Sequence, residues 1–237
     1  MVKLLVSVRN AAEATEAMAG GADWIDVKQP AAGALGMPKC SDLADVVVRV
    51  AGQLPVSTAL GELCEFSDSQ RLAGIPWPGI SWAKVGLSGC GILADWAARL
   101  CTLRNELPAS TSLVAVVYAD RATSNAPEPE EVLRVASELG LRALLVDTFD
   151  KTAGGLFNWF SPARLEELFA AAHRQGMIAV AAGSLRPAQM PLAMDAGADV
   201  IAVRGAACLD QRRTAPVCRH QVQRLRTAIP GRNIEFS

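Results

Sequence analysis

Histidine and lysine are scarce in this chain, and cysteine occurs without pattern. Two histidines and six cysteines are found among 237 residues. The cysteines (Cys40, Cys64, Cys90, Cys101, Cys208 and Cys218) form no C-x-x-C pair, so neither a zinc site nor a disulfide framework is legible, and they read as reduced core thiols. No basic run exceeds Arg212-Arg213 and the formal net charge is -1. That balance argues against a polyanion-binding surface, and nucleic acid is not an expected partner. The apolar start Leu4-Leu5-Val6 soon reaches Arg9, and no apolar stretch approaches the roughly 18 residues of a membrane span. A soluble, cytoplasmic protein is expected. With 51% hydrophobic and 20% charged residues the chain is not disordered and can bury a sizeable core.

The lysine deficit is the informative one. Of 23 basic residues only five are lysines (Lys3, Lys28, Lys39, Lys84 and Lys151), against eighteen arginines. An arginine bias is most simply a matter of genome composition. Lysine, however, can lose its proton when desolvated and form an imine, which a guanidinium cannot.

Short segments rich in Val, Ile, Leu and Ala alternate with longer helical patterns. Strands are expected at 3–7, 24–28, 56–60, 81–86, 112–118, 142–147, 177–182 and 200–204. Between them stand helix starts: Asn10 with Glu13 three residues on, Ser41 before an apolar-periodic stretch, and Ser161-Pro162. Helices close on Gly20-Gly21, Gly140, Gly176 and Gly197. The third unit is the weakest, because Pro76-Trp77-Pro78 lies within 71–79 and cuts its helix short. Gly21-Ala22-Asp23-Trp24-Ile25-Asp26-Val27-Lys28 and Gly197-Ala198-Asp199-Val200-Ile201-Ala202-Val203-Arg204 repeat one plan of helix end, turn and strand. Eight such units without a Pro/Ser-rich linker predict a single (β/α)8 TIM barrel over residues 1–237. A doubly wound open sheet would need a glycine fingerprint after the first strand, and Ser7-Val8-Arg9-Asn10 has none.

Side chains alternate along a strand, so Asp26 and Lys28 share the inward face with Trp24, while Ile25 and Val27 face the helices. The same count turns Lys84, Asp147 and Arg204 inward at the ends of strands four, six and eight. Any one of these alone reads best as a rim ion-pair residue. Four at equivalent positions around one mouth point to a site, because buried charge demands mutual pairing or an anionic ligand. Converging lysines repel each other and lose water, and both effects lower an ammonium pKa toward nucleophilic use. Asp26 is placed to position an amine or carry protons, and Asp147 and Lys151 flank the loop Thr148-Phe149-Asp150 over the mouth. Gly183 and Ser184 after strand seven, and Gly205 and Ala206 after an inward Arg204, occupy the place where such barrels often hold phosphate. The implied substrate is a small phosphorylated carbonyl compound.

Other residues carry less. His173 reads as a surface residue at a helix end, His220 as part of the last helix, and Cys208 as a core thiol. Trp24 and Trp82 should both fill the barrel floor, where two indoles are crowded. Tyr118-Ala119-Asp120 either reaches the site or caps a turn. Apolar residues near Trp77 and Trp159 offer a self-association surface for a homo-oligomer.

Taken together, Ile25-Asp26-Val27-Lys28, Ala83-Lys84-Val85-Gly86-Leu87, Tyr118-Ala119-Asp120, Asp147-Thr148 with Lys151, and Arg204-Gly205-Ala206-Ala207-Cys208 resemble one family, the (5-formylfuran-3-yl)methyl phosphate synthases, also called 4-(hydroxymethyl)-2-furancarboxaldehyde-phosphate synthases. The order and spacing of the motifs, from the first strand to the eighth, carry the resemblance. It implies a fold like that of class I aldolases and a lyase that joins two molecules of glyceraldehyde 3-phosphate into a phosphorylated furan aldehyde for methanofuran-type one-carbon carriers. It further implies Lys28 as the imine-forming lysine, with Asp26, Lys84, Asp147 and Lys151 as acid/base and charge-stabilising groups, and neither metal nor cofactor. The segment 29–36 departs from the family pattern, with Gln29 where the archaeal pattern carries Asn. A class I aldolase or a sugar-phosphate isomerase on another small phosphorylated carbonyl compound, or a non-catalytic phosphate-binding barrel, are the alternatives from the residues alone.

Overall fold

A computed structural model of the protein describes residues 1–66 and 72–229. Eight strands close into a parallel barrel in chain order: β1 (Lys3–Val8), β2 (Trp24–Val27), β3 (Val56–Glu62), β4 (Trp82–Gly86), β5 (Ser112–Tyr118), β6 (Ala143–Asp147), β7 (Ile178–Ala181) and β8 (Val200–Val203). β8 returns to pair with β1, with Lys3 opposite Val200. The α-helices are α1 (Ala11–Ala19), α2 (Cys40–Val50), α3 (Trp96–Glu106), α4 (Arg121–Ser124), α5 (Pro129–Glu138), α6 (Leu156–Trp159), α7 (Pro162–Arg174), α8 (Met190–Asp195) and α9 (Arg219–Thr227). The predicted TIM barrel is therefore the fold, with strand bounds shifted by a residue or two. No helix of the described residues is long and apolar enough to cross a membrane.

The local signals act as their chemistry dictates. Asn10 caps α1 by accepting the Glu13 N–H at 3.0 Å, and Ser161 caps α7 by accepting that of Arg164 at 3.1 Å. α7 buries Leu165, Leu168, Phe169 and Ala172, one stripe at helical spacing, and each large side chain contributes about 2 kcal/mol. Phe169→Ala would cost about 3–5 kcal/mol through the cavity it leaves. Gly21, Gly140, Gly176 and Gly197 all take positive φ at the helix ends, as expected where the chain must reverse into a strand. The expected cap at Ser41 is corrected. α2 begins at Cys40, so its N-cap is Lys39, two residues before Ser41, and no side chain caps it. The proline-rich third unit goes further than expected: between β3 and β4 the described residues hold no α-helix, only short 3-10 turns. Arg71 lies outside the described residues.

The internal repeat has a hydrogen-bonding reason. The Asp23 carboxylate accepts Leu4 N–H of β1 at 2.9 Å, and Asp199 accepts Ala179 N–H of β7 at 2.8 Å. Each aspartate thus ties the start of its own strand to the strand before it. His173, at the end of α7, hydrogen-bonds the same Asp199.

Inside the barrel, Leu5, Val114, Leu145, Val180 and Val200 form an apolar lower layer. Trp24 and Trp82 lie there together. Their crowding is resolved by stacking, with ring centroids 5.7 Å apart and planes 19° from parallel, and the Arg142 guanidinium sits over Trp82. Above this floor the interior becomes polar. Trp77 packs half-buried against the outer core, while Trp159 is 40% exposed.

Candidate active site at the carboxyl ends of the strands

A cavity of about 290 Å³ opens at the carboxyl-terminal mouth of the barrel, and Asp26, Lys28, Lys84, Asp147, Lys151 and Arg204 all line it. The two-residue alternation of the strands puts them there. Ile25 and Val27 are fully buried in the outer core, which leaves Asp26 and Lys28 to face inward. Gly183, Ser184, Gly205 and Ala206 complete the rim as expected, so all ten sequence-derived candidates converge on one space.

Two ion pairs occupy opposite walls. Asp26, fully buried, accepts Ser7 Oγ at 2.8 Å and Ser57 Oγ at 2.7 Å, and pairs with the Lys84 ammonium. Burial pushes its carboxyl upward, but Lys84 and Lys28, together with hydrogen bonds from Lys84 and Ser57, outweigh burial and hold it below the usual range. Across the mouth, Lys151 Nζ stands 2.5 Å from Asp147 Oδ1 and also bonds the Thr148 carbonyl. Burial again opposes ionisation of Asp147, and Lys151, Lys28 and the Thr148 N–H again overcome it.

Lys28 lies between these pairs and belongs to neither. Among the described residues its ammonium makes no ion pair or hydrogen bond with the protein. Burial is the largest influence on it, countered by the charges of Asp147 and Asp26 and reinforced by those of Lys84 and Lys151. The result is a pKa lowered to about 8. The sequence placed Asp26 beside Lys28, whereas the fold hands Asp26 to Lys84.

Arg204 enters the mouth with every donor engaged. Its Nε donates to Arg213 O, Nη1 to Ser7 O and Glu13 Oε2, and Nη2 to Glu13 Oε1 and Ala215 O, at distances from 2.5 to 3.2 Å. A guanidinium has five N–H groups, and none is left for a phosphate. This revises the expectation that Arg204 faces the anion directly. Burial works against the Glu13 carboxylate, yet Arg204 and Arg9 hold its pKa below the usual range. By contrast, the N–H groups of Gly183, Ser184, Gly205 and Ala206 make no backbone hydrogen bond among the described residues.

Ser7 and Ser57 were not read from the sequence, and Asp120 was read as either reaching the site or capping a turn. Ser7 and Ser57 are small polar residues at inward positions of otherwise apolar strands, and that parity was the available signal. Glu13 was read only as part of a helix start. Asp120, fully buried, accepts the N–H groups of Phe149 and Asp150, each at 2.7 Å, and so clamps the loop that carries Lys151. Tyr118 does not reach the cavity. It is buried, donates to Glu62 Oε1 at 2.7 Å, and packs edge-on against Phe149. Cys208 is buried, donates to Arg204 O and has its thiol pKa raised by burial to about 11, which suits a core thiol. No group of three or more His, Cys, Asp or Glu side chains among the described residues is placed to hold a metal.

Comparison with known proteins gives the family of the chain. The family model of 4-HFC-P synthase matches residues 4–226. A (5-formylfuran-3-yl)methyl phosphate synthase of Methanopyrus kandleri is 34% identical over 233 residues, covering 96% of this chain and 98% of its own. The enzyme of that name from Methanosarcina acetivorans is 33% identical over 219 residues, covering 90% and 94%. Among solved structures, the thiamine phosphate pyrophosphorylase of Pyrococcus furiosus superposes with a TM-score of 0.62 at 15% identity, covering 96% of this chain and 95% of that one. That likeness shows the barrel alone. The sequence matches show the family: this chain belongs to the 4-HFC-P synthases.

Proposed function

We propose that the protein condenses two molecules of glyceraldehyde 3-phosphate into (5-formylfuran-3-yl)methyl phosphate through a Schiff base on Lys28, with loss of one phosphate and two waters, as a lyase serving a methanofuran-type carrier. The observation that carries this reading is the Lys28 amine, unpaired among the described residues and with a pKa lowered to about 8, between two neutralised aspartate–lysine pairs. A neutral amine attacks an aldehyde, and an ammonium does not.

Lys28 Nζ adds to the aldehyde of one triose phosphate, and the resulting imine acidifies the adjacent carbon so that an enamine forms. The enamine expels the phosphate on its own third carbon, and that carbon, as the enol of the resulting keto-imine, attacks the ketone of the second triose phosphate after its isomerisation from the aldehyde. Closure of the terminal hydroxyl on the keto group, loss of two waters and hydrolysis of the imine then give an aromatic furan aldehyde, whose resonance makes the sequence hard to reverse, and free Lys28. Asp26 and Asp147 move protons through the lysines they bind, while Lys84 and Lys151 steady the oxyanions that develop. The open N–H groups of Gly183, Ser184, Gly205 and Ala206 hold phosphate oxygens, and Arg204 braces the loop behind them. At about 290 Å³ the cavity is near the lower end of the ~300–1,000 Å³ common for small-molecule sites, which suits triose phosphates. The reaction needs neither metal nor cofactor, because the imine is itself the electron sink.

Borohydride added during incubation with glyceraldehyde 3-phosphate should fix a mass adduct on Lys28, and the unquenched reaction should develop furan-aldehyde absorbance. Absorbance without the adduct would remove the imine. Absence of both would remove the reaction.

A further inference from the structure

The walls of the cavity hold a second guanidinium whose situation is the reverse of that of Arg204. Arg213 lines the same mouth, is half-buried, and among the described residues its side chain donates one hydrogen bond, to Gly33 O at 3.1 Å. Four of its five N–H groups are therefore open. We propose that Arg213 is the guanidinium that binds the substrate phosphate, and that Arg204 serves it as an anchor by holding its backbone in place. The inference rests on the reading of the mouth as a triose-phosphate site and names the side chain that recognises the phosphate there.

Three features of the backbone place Arg213 for this task. Arg204 Nε donates to Arg213 O at 2.9 Å, and Arg204 Nη2 donates to Ala215 O at 2.9 Å, so one saturated arginine grips the chain on and beyond the open one. Asp210 and Gln211 both take left-handed conformations, with φ of 51° and 55°. Such conformations are unfavourable for non-glycine residues and persist where the surroundings impose them. They turn the chain so that Arg212 stays exposed, paired with Asp210, while the next residue faces inward. Finally, Gly205 lies directly under Arg213: a side-chain carbon built on Gly205 would come 3.9 Å from Arg213 Cβ. The open N–H groups of Gly205 and Ala206 thus line the same mouth as the open guanidinium.

Ser184 adds to the same picture from the other side. It follows Gly183 in a second left-handed pair, with φ of 86° and 53°, and its N–H is likewise unengaged among the described residues. A phosphate monoester lying between the two loops would meet backbone N–H groups from both and a planar guanidinium able to donate two parallel bonds. That combination favours phosphate over a neutral hydroxyl or carbonyl group.

Inorganic phosphate titrated into the purified protein at low ionic strength, followed by calorimetry, tests this without any turnover. Wild type should bind phosphate. Arg213→Gln should bind it about 10–100-fold more weakly, the range expected for loss of a charge-assisted contact, with Arg213→Lys between them. Equal affinity in wild type and Arg213→Gln overturns the assignment, as does a wild type that does not bind phosphate. A second measurement needs no variant: an arginine-selective dicarbonyl reagent read by mass spectrometry should label Arg213, phosphate should protect it, and Arg204 should stay unlabelled. Labelling of Arg204 with sparing of Arg213 overturns the proposal equally. Failure here leaves the Lys28 adduct intact, whereas failure of the Schiff-base reading removes the adduct and leaves phosphate binding untouched.

Discussion

Lys151 Nζ stands 2.5 Å from Asp147 Oδ1, and this pairing leaves Lys28 without an ion-pair partner among the described residues. Asp147 is one of two carboxylates whose charge acts on Lys28, and the other, Asp26, is occupied by Lys84. With three lysines and two aspartates converging, one amine is left over. The charge count of the mouth, rather than any single contact, selects it.

The first prediction concerns pH. A lowered Lys28 pKa of about 8 means that the neutral amine becomes abundant as pH rises through about 8, and not through the 10.5 of an ordinary lysine. The initial rate of borohydride trapping on Lys28 should rise between pH 7 and 9 and then level. A rate still climbing steeply at pH 10 would contradict the assigned environment.

The second concerns stability. Because the folded-state pKa of Lys28 lies below the unfolded one, its charged form is penalised on folding. The penalty is complete below pH 8 and relieved as pH rises from about 8 toward 10.5. At 1.36 kcal/mol per unit it amounts to about 3 kcal/mol at neutral pH. Lys28→Met should therefore be more stable than wild type to urea at pH 7, by about 1–3 kcal/mol, while losing the adduct. Lys28→Arg should keep the charge and lose the chemistry as well.

The third concerns acid. Asp26 and Asp147 have carboxyls held below the usual 3.8, so their stabilising effect is full above that value and is lost as pH falls through the lower folded-state values. Asp26→Asn leaves Lys84 buried and unpaired, which costs about 3–5 kcal/mol. Its unfolding midpoint should be lower at pH 7 and should change less than that of wild type on acidification below pH 4. Parallel midpoints across that range would show that Asp26 is not the group responsible.

The fourth concerns the loop clamp. Asp120→Ala leaves the Phe149 and Asp150 N–H groups without their buried acceptor, at about 1–3 kcal/mol each. Lys151 then loses its fixed approach to Asp147, Asp147 becomes available to Lys28, and the Lys28 pKa should rise. Competitive acylation of Lys28 as a function of pH measures this directly, and Asp120→Glu should restore part of the wild-type profile. An unchanged Lys28 titration in Asp120→Ala would limit Asp120 to a purely structural role.

Much of this protein is readable from residue order because its signals are local. Hydrophobic periods of two and of about four residues, caps at Asn10 and Ser161, and glycines where helices end specify the alternation of strands and helices. Strand parity alone turned Asp26, Lys28, Lys84 and Asp147 inward. The misreadings have one origin. Ser41 looked like a cap because a local pattern was judged without the turn that puts the N-cap at Lys39, two residues earlier. Arg204 looked like a phosphate ligand because its donors could not be counted until Ser7 and Glu13 were brought to it from the start of the chain and the loop carrying Arg213 and Ala215 folded back over it.

The lysine scarcity evident at the outset belongs to the sequence, and so does the convergence of three of the five lysines on one mouth. Which of them is nucleophilic does not. Side-chain direction follows from the period of a strand, whereas the pairing of Lys84 with Asp26 depends on a distance between strands that neither strand contains. Closure of the sheet set Lys84 on Asp26, and the loop after β6 folded Lys151 back onto Asp147, leaving Lys28, among the described residues, as the amine without a partner.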